Sequence, residues 1–381
     1  MKIPLLDLKS EYRIIKKDLQ KQFQYCFRTQ NWILSDPVKR FEEKVARYLG
    51  VTHAIGVASG TDALILSLRA LALQRKKEQW FRPADEIITT PFTFIATAES
   101  IVYSGARPVF VDIDPDTYNL DPDQVKKALT KRTVGIIPVH LYGLGCQMKP
   151  LSALARKHGL FMVEDAAQSF GGEYYGKKLG ALSDAGAFSF FPSKNLGGYG
   201  DAGLIATDDS SLAKEIKILR NHGQTTQYHA TCIGYNSRLD AIQAAVLLAK
   251  LKHIDRFNRM RNKIARKYTV RLKKIPQVSP PHVTPEMLPA YHLYTIKVSR
   301  WRDELSAYLN RKGICARQYY PALLSQMPAF HNARIAGSLK NAHGAVEKVL
   351  SLPLHPFMDA HQVEYVVSSI ERFFRGKNKK I

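Results

Sequence analysis

The chain has 381 residues and a formal net charge of +23, and its length exceeds a single small core, so two domains are expected, 1–250 and 251–381. An ordinary apolar content of 45% excludes a disordered chain. No run approaches the ~18 uninterrupted apolar residues of a membrane helix; the best candidate, IATAESIVYSG, carries Glu99 in its middle. From residue 54 the pattern alternates. HAIGVASG reads as a strand ending in a glycine turn, and TDALILSLRALAL carries apolar residues at helical spacing. DEIITTP is a predicted strand, FIATAESIVYSG a helix and PVFVDID a strand. DPDQVKKALT reads as a helix with Asp121 as N-cap and Pro122 at its first position. GIIPVHLYG follows as a strand, MKPLSALARKHG as a helix, LFMVEDAA as a strand, and AGAFSFF and GLIATD as two more strands.

Such alternation predicts a mostly parallel α/β sheet covered on both faces, with function gathered at the carboxyl ends of its strands. IQAAVLLAKLKHIDRFNRMRNKIARKY predicts one long helix with a basic outer face, since Lys250 to Lys274 contains a single acid, Asp255. Beyond it lie a proline-rich loop PQVSPPHVTPEMLP, a strand AYHLYTIKV, a helix DELSAYLNRKG, a loop around YYPALL and a closing helix from Asp359. These predict a second, smaller α/β domain, and the tail RGKNKKI is expected to be unstructured.

The positive charge is either a solvated face of a basic protein or suits an anionic partner, whether a nucleic acid, a membrane surface or an anionic small substrate. No zinc finger, basic heptad or RRM-type aromatic motif is present, so nucleic acid is not the expected partner, and neither is a membrane. Cys26, Cys146, Cys232 and Cys315 form no CxxC pair and no HExxH occurs, which argues against a disulfide framework or a zinc site. A reducing cytoplasm is the expected setting, because the N-terminal MKIPLLDLKSEYR lacks the sustained apolar core of a secretory signal.

Chemistry concentrates around FFPSKNLGGYGDAG. A phosphate loop places glycines before its Lys-Ser/Thr pair, whereas here Gly197, Gly198, Gly200 and Gly203 follow Lys194. The order fits a lysine whose amine forms a Schiff base, with glycines that let the chain turn where side chains would crowd. VEDAAQS puts Glu164, Asp165 and Gln168 at the end of an apolar strand, where a carboxylate needs either a helix N–H or a cationic partner. ASGTDAL sets Gly60 and Thr61 at a strand-to-helix turn, suited to a phosphate or to an ordinary helix start, and Ser189 offers a second hydroxyl. Amine, phosphate cradle and carboxylate together are the fixings of pyridoxal 5'-phosphate. Phe92 and Phe94 of PFTFIAT are the candidate ring-stacking aromatics, and core aromatics otherwise.

EDAAQS, FSFFPSKNLGGYGDAG and GYNSRLDAIQAAVL, in that order, resemble the nucleotide-sugar aminotransferases of the DegT/StrS family. SGTDAL, TTPFTFIATA and PVHLYG extend the likeness over nearly the whole chain. The resemblance implies a fold-type I pyridoxal-phosphate enzyme, transferring an amino group from glutamate to a nucleotide-linked keto sugar at carbon 3 or 4 in amino-sugar or polysaccharide synthesis. It makes Lys194 the Schiff-base and proton-carrying lysine, and gives Asp165 to the pyridine nitrogen and Gln168 to the ring hydroxyl. Gly60, Thr61 and Ser189 would bind phosphate, Phe94 would stack on the ring, and Asn236 would reach the phosphate across a homodimer interface. Tyr319 and Tyr320 would face the sugar, Arg238 would either approach it or be structural, and His140 is either a site residue or a packed strand-end histidine. Many relatives acting on 3-keto sugars read His-Tyr-Pro with a further His after it, where this chain has Tyr319-Tyr320-Pro321 and Ser325. The alternatives are a dehydratase, which in relatives accompanies loss of the lysine, and a non-catalytic regulatory or nucleic-acid-binding relative.

Overall fold

Eight strands make the larger sheet of the computed structural model, which describes residues 1–378. Their spatial order is His53–Val57, Gly203–Thr207, Ala185–Ser189, Phe161–Asp165, Thr133–Ile136, Glu86–Thr89, Arg107–Phe110 and Arg334–Ile335. Only Gly203–Thr207 runs antiparallel to its neighbours. The remaining pairs are parallel, as the strand–helix alternation predicts. Parallel strands covered on both faces are buried along their length, and Phe161–Asp165 and Glu86–Thr89 are buried throughout. The helix Gly60–Lys76 lies against this sheet with residues 63–72 all buried, which explains its lack of a polar face.

A second sheet holds Val278–Ser279, Tyr294–Val298 and Val349–Leu352, all antiparallel. Its core joins Tyr268, Tyr294, Leu305, Leu309, Leu350, Val366 and Ile370. The division expected at residue 250 is crossed by the chain more than once. Ile3 bridges Ile314 and sits in the second core, while Arg334–Ile335 supplies the outer strand of the large sheet. Met287–Leu288, within the proline-rich loop, pairs with Glu173–Tyr174 beside the large sheet.

The single long helix expected from residue 242 onward is two, Ala241–Leu251 and Ile254–Leu272, broken at Lys252 and His253. The break follows from burial. Residues 244–251 are buried continuously between the helices Leu8–Thr29 and Asp36–Leu49, so no polar face remains. The second helix buries only a stripe, Phe257, Arg261, Ile264, Tyr268 and Leu272, and packs on the helix Ala360–Asn378 of the smaller unit. One straight rod cannot serve two partners lying in different directions. The basic outer face does exist on the second helix, with Arg256, Arg259, Lys263, Arg266 and Lys267 exposed. Of the tail RGKNKKI, residues 375–378 continue the closing helix instead of being unstructured, and 379–381 lie outside the described residues.

The N-terminal helix Leu8–Thr29 is fastened by a buried ion pair. Glu11 Oε2 accepts from Lys250 Nζ at 2.7 Å, and the two residues are 8% and 2% exposed. The same ammonium lies 4.5 Å from the Tyr199 ring, in the glycine loop after Lys194. Removing one partner strands the other charge away from water. Glu11→Ala is therefore expected to lower stability by about 3 kcal/mol in chemical denaturation, and Glu11→Leu/Lys250→Met to recover most of it.

Candidate active site

The carboxyl ends of the parallel strands open on a cavity of about 830 Å³. Ser59, Gly60, Thr61, Phe94, Asp165, Gln168, Ser189, Lys194, Tyr319 and Tyr320 all contribute to its wall. Residues far apart in the chain are thus brought together as the motifs required.

Side-chain alternation along Phe161–Asp165 separates two adjacent acids. Glu164 turns away from the cavity and accepts from Gly180 N–H (2.8 Å), Leu182 N–H (2.7 Å), the Ser183 hydroxyl (3.0 Å) and His140 Nε2 (2.8 Å). Asp165 turns into the cavity. Its Oδ2 accepts from the Thr97 hydroxyl at 2.7 Å and its Oδ1 from Ala167 N–H at 3.2 Å. Burial nevertheless holds its pKa above the ordinary value, against those hydrogen bonds and the Lys194 charge. A cation placed beside it would restore the ionised form.

Lys194 follows the strand Ala185–Ser189 in a turn closed by its N–H to Phe191 O at 2.8 Å. Among the described residues its ammonium has no ion-pair partner. Burial lowers its pKa from 10.5 to about 8, partly offset by Asp165. The glycines after it serve space and not backbone rotation, since none of them has a positive φ. A Cβ on Gly197 would meet Pro192 O at 2.6 Å, and one on Gly200 would meet Gln243 Nε2 at 2.6 Å. Gln243 Oε1 accepts from Tyr199 N–H at 2.9 Å, holding the loop that follows the lysine.

The phosphate cradle is equally tight. The helix Gly60–Lys76 starts at the cavity with Ser59 as N-cap, accepting from Asp62 N–H. A Cβ on Gly60 would come within 2.5 Å of Ser189 Cβ, so only glycine lets the first-turn N–H groups and the Ser189 hydroxyl face one small space. With a buried carboxylate, an unpaired lysine and this cradle along one cavity, the residues present fit pyridoxal phosphate.

Of the two candidate aromatics, Phe92 is fully buried, whereas Phe94 is 55% exposed on the cavity wall, 6.3 Å from the Tyr320 ring. Gln168 is engaged at both ends: Oε1 accepts from Tyr142 N–H (2.7 Å) and Nε2 donates to the Tyr320 hydroxyl (3.0 Å). Its amide therefore also sets Tyr320, while the Tyr142 hydroxyl donates to Tyr319 O.

His140, expected among the catalytic residues, does not line the cavity. It is fully buried, and Cys146 N–H donates to its Nδ1 at 3.1 Å, which leaves Nε2–H to donate to Glu164. Its own N–H donates to Asp165 O at 3.1 Å, so it positions the strand end through its backbone. Asn236 and Arg238 also lie outside this chain's cavity. Asn236 is exposed and bridges Asn221, whose side chain accepts from Arg238 Nη1 at 2.8 Å. Buried Arg69 braces this segment by donating to Ile233 O (3.1 Å) and the Tyr235 hydroxyl (2.6 Å).

Four wall or support residues are not marked by the motifs themselves: Thr97, Arg261, His292 and Gln318. Thr97 lies inside TTPFTFIATA at a helix start, Arg261 within a helix and His292 beside a strand, and none carries a signature of its own role. Only the pairing of distant segments brings them to the site.

The model of the DegT/DnrJ/EryC1/StrS aminotransferase family matches residues 13–371. A "Pleiotropic regulatory protein" of Geobacillus stearothermophilus is 43% identical, covering 98% of this chain and 99% of its own length. A UDP-2-acetamido-2-deoxy-3-oxo-D-glucuronate aminotransferase of Pseudomonas aeruginosa is 38% identical over 97% of this chain and 99% of its own. Among solved structures, NtdA from Bacillus subtilis with bound cofactor PMP superposes with a TM-score of 0.88 at 30% identity, covering 97% of this chain and 85% of that one.

Because burial lowers the amine's pKa, Lys194 of the cofactor-free protein should be acylated with a midpoint near pH 8, not 10.5, as followed by labelling against pH and peptide mapping. Asp165→Asn removes the charge that opposes the shift and should move the midpoint lower still.

Proposed function

The chain belongs to the DegT/DnrJ/EryC1/StrS aminotransferase family, and from that premise we propose that it aminates a nucleotide-linked keto sugar at carbon 3 or 4, with glutamate as donor. It is a pyridoxal-phosphate-dependent transaminase of fold type I. The observation that carries the proposal is the unpaired, pKa-lowered Lys194 in one cavity with Asp165 and the Gly60–Ser189 cradle.

When bound, the cofactor supplies an electron sink for the carbanion formed at the reacting carbon. Gly60, Thr61 and Ser189 would hold its phosphate at the helix N-terminus. Asp165 would keep the ring nitrogen protonated, and Thr97 and Ala167 hold that carboxylate in place. Phe94 would cover one face of the ring. Lys194, whose amine is partly neutral near pH 7–8, takes the proton from the α-carbon of glutamate and returns it to the sugar carbon in the second half-reaction. Glutamate leaves as 2-oxoglutarate with an oxygen taken from water in the first half-reaction, and the sugar's keto oxygen leaves as water in the second, when the amine takes its place. Tyr319 and Tyr320 face the sugar, with Gln168 fixing the Tyr320 hydroxyl. The similarity to an aminotransferase named for a 3-oxo sugar supports amination at that carbon.

Asn236 and Arg238 complete the site of a second copy in this reading, since both lie outside the cavity of their own chain. Four unpaired cysteines support the cytoplasm as the place of action. The regulatory name carried by one relative, together with the net charge of +23, favours a second reading as a DNA- or RNA-binding regulator. That reading predicts salt-sensitive binding independent of Lys194.

The visible absorption band of the cofactor-loaded protein should vanish on adding glutamate, with release of 2-oxoglutarate, and Lys194→Ala should abolish both. A band indifferent to glutamate would count against this donor and reaction. Asn236→Ala should weaken cofactor retention on gel filtration; a fully active monomer would overturn the shared site.

A further inference from the structure

We infer that Arg261 and His292 form the carboxylate anchor of the cavity, which holds the α-carboxylate of the amino donor while its amine meets Lys194. The inference rests on the transaminase reading and extends it to donor recognition.

Arg261 stands on the helix Ile254–Leu272, one turn before Ala265, and reaches the wall of the cavity that also holds Lys194. It is only 4% exposed. Its Nη1 donates to Leu354 O at 2.8 Å and to Tyr291 O at 3.3 Å, which fixes the plane of the guanidinium. Among the described residues it has no carboxylate partner. Burial of this cation lowers its pKa to about 10, partly offset by the more distant Glu11 charge. A buried guanidinium without a counter-ion is costly unless an anion arrives to meet it.

His292 follows Tyr291 and also lines the cavity. Among the described residues its buried Nδ1 has no hydrogen-bond partner. Burial, then the charges of Lys194 and Arg261, push its pKa well down and keep the ring neutral. Both cations bear on this imidazole, and all three residues line the same cavity. An anion seated there is attracted by both, and a neutral imidazole adds a hydrogen bond without repelling the arginine. The planar fork of arginine matches a carboxylate with two parallel N–H groups. Leu5 and Leu6 contribute apolar wall to the same cavity, which limits the water competing for the charge. The phosphate cradle at Gly60 and Ser189 is built on other elements, so the two anion sites do not share a residue.

The same chemistry could instead serve an acid group on the sugar acceptor, and the two half-reactions separate these sources. With the cofactor-loaded protein and glutamate alone, Arg261→Gln should raise the glutamate concentration for half-maximal bleaching between about tenfold and a hundredfold. Arg261→Lys should recover part of that loss. Glutarate, which binds without reacting, should weaken by a similar factor in calorimetry, a readout independent of turnover. Bleaching by an amine that lacks a carboxylate should be unchanged by Arg261→Gln. Wild-type failure to bleach with glutamate would sink the transaminase reading itself. Wild-type bleaching with unchanged glutamate and glutarate affinity in Arg261→Gln would overturn the anchor alone. A defect confined to the acceptor half-reaction would overturn it as well, in favour of the acceptor's acid group. Because Arg261 also ties two carbonyls, Arg261→Gln is read only if its melting temperature and cofactor band match wild type. His292→Gln carries the test otherwise: a rise of at least about threefold supports the anchor and no change overturns it.

Discussion

Two neighbouring carboxylates leave the strand Phe161–Asp165 on opposite faces, and the site depends on that separation. Glu164 is consumed by structure: four donors saturate it and tie together His140, the turn at Gly180 and the segment to Ser183. Asp165 receives only two donors and faces the cavity with a pKa raised by burial. A one-residue slip in register would exchange these environments. The reactive acid would then be saturated and the structural acid would be left unsatisfied in the core. The hydrogen bonds between Asp165 and the Pro138–His140 segment, which bridge the two strands at this point, guard against that slip.

Around that strand end the cavity has an uneven charge distribution. Lys194 and Arg261 bring two cations to its wall, and of the two carboxylates there, Asp165 and Asp201, burial disfavours the ionised form of Asp165. Such a cavity favours anions at more than one position. That agrees with a reaction in which a phosphate, an amino-acid carboxylate and a nucleotide diphosphate must all be accommodated, and it assigns part of the net positive charge to function. The basic outer face of Ile254–Leu272 is a different feature, because the cations there are exposed and Arg261 alone among them points inward.

Much of this was legible in the chain and some was not, for physical reasons. Strand–helix alternation is a local pattern, and it yields the parallel sheet and the position of Lys194, Asp165, Gly60 and Ser189 at strand ends. The break at Lys252 is not local. It arises because Leu8–Thr29 and Asp36–Leu49 enclose one half of the segment, while the smaller unit takes the other. His140 was ambiguous because a motif marks that a histidine sits at a strand end without saying which face it takes. Crowding around the glycines after Lys194 was legible, but not its full source, since Gln243 lies on a helix some forty residues on. Arg261 was hidden among similar cations, and only burial distinguishes it.

The bridge from Ile3 to Ile314, with Leu5 and Leu6 on the cavity wall, also bears on how the molecule is made. Ile3 and its partner Ile314 are separated by most of the sequence. The large sheet can assemble while synthesis continues, but its cavity lacks one wall until the segment around Ile314 has emerged. Loops this long close slowly, so the final docking of the amino-terminal segment belongs to the slow end of folding. Competence for the cofactor and substrates therefore arrives after most secondary structure, and a nascent chain stalled before residue 314 would hold a sheet but not a finished site.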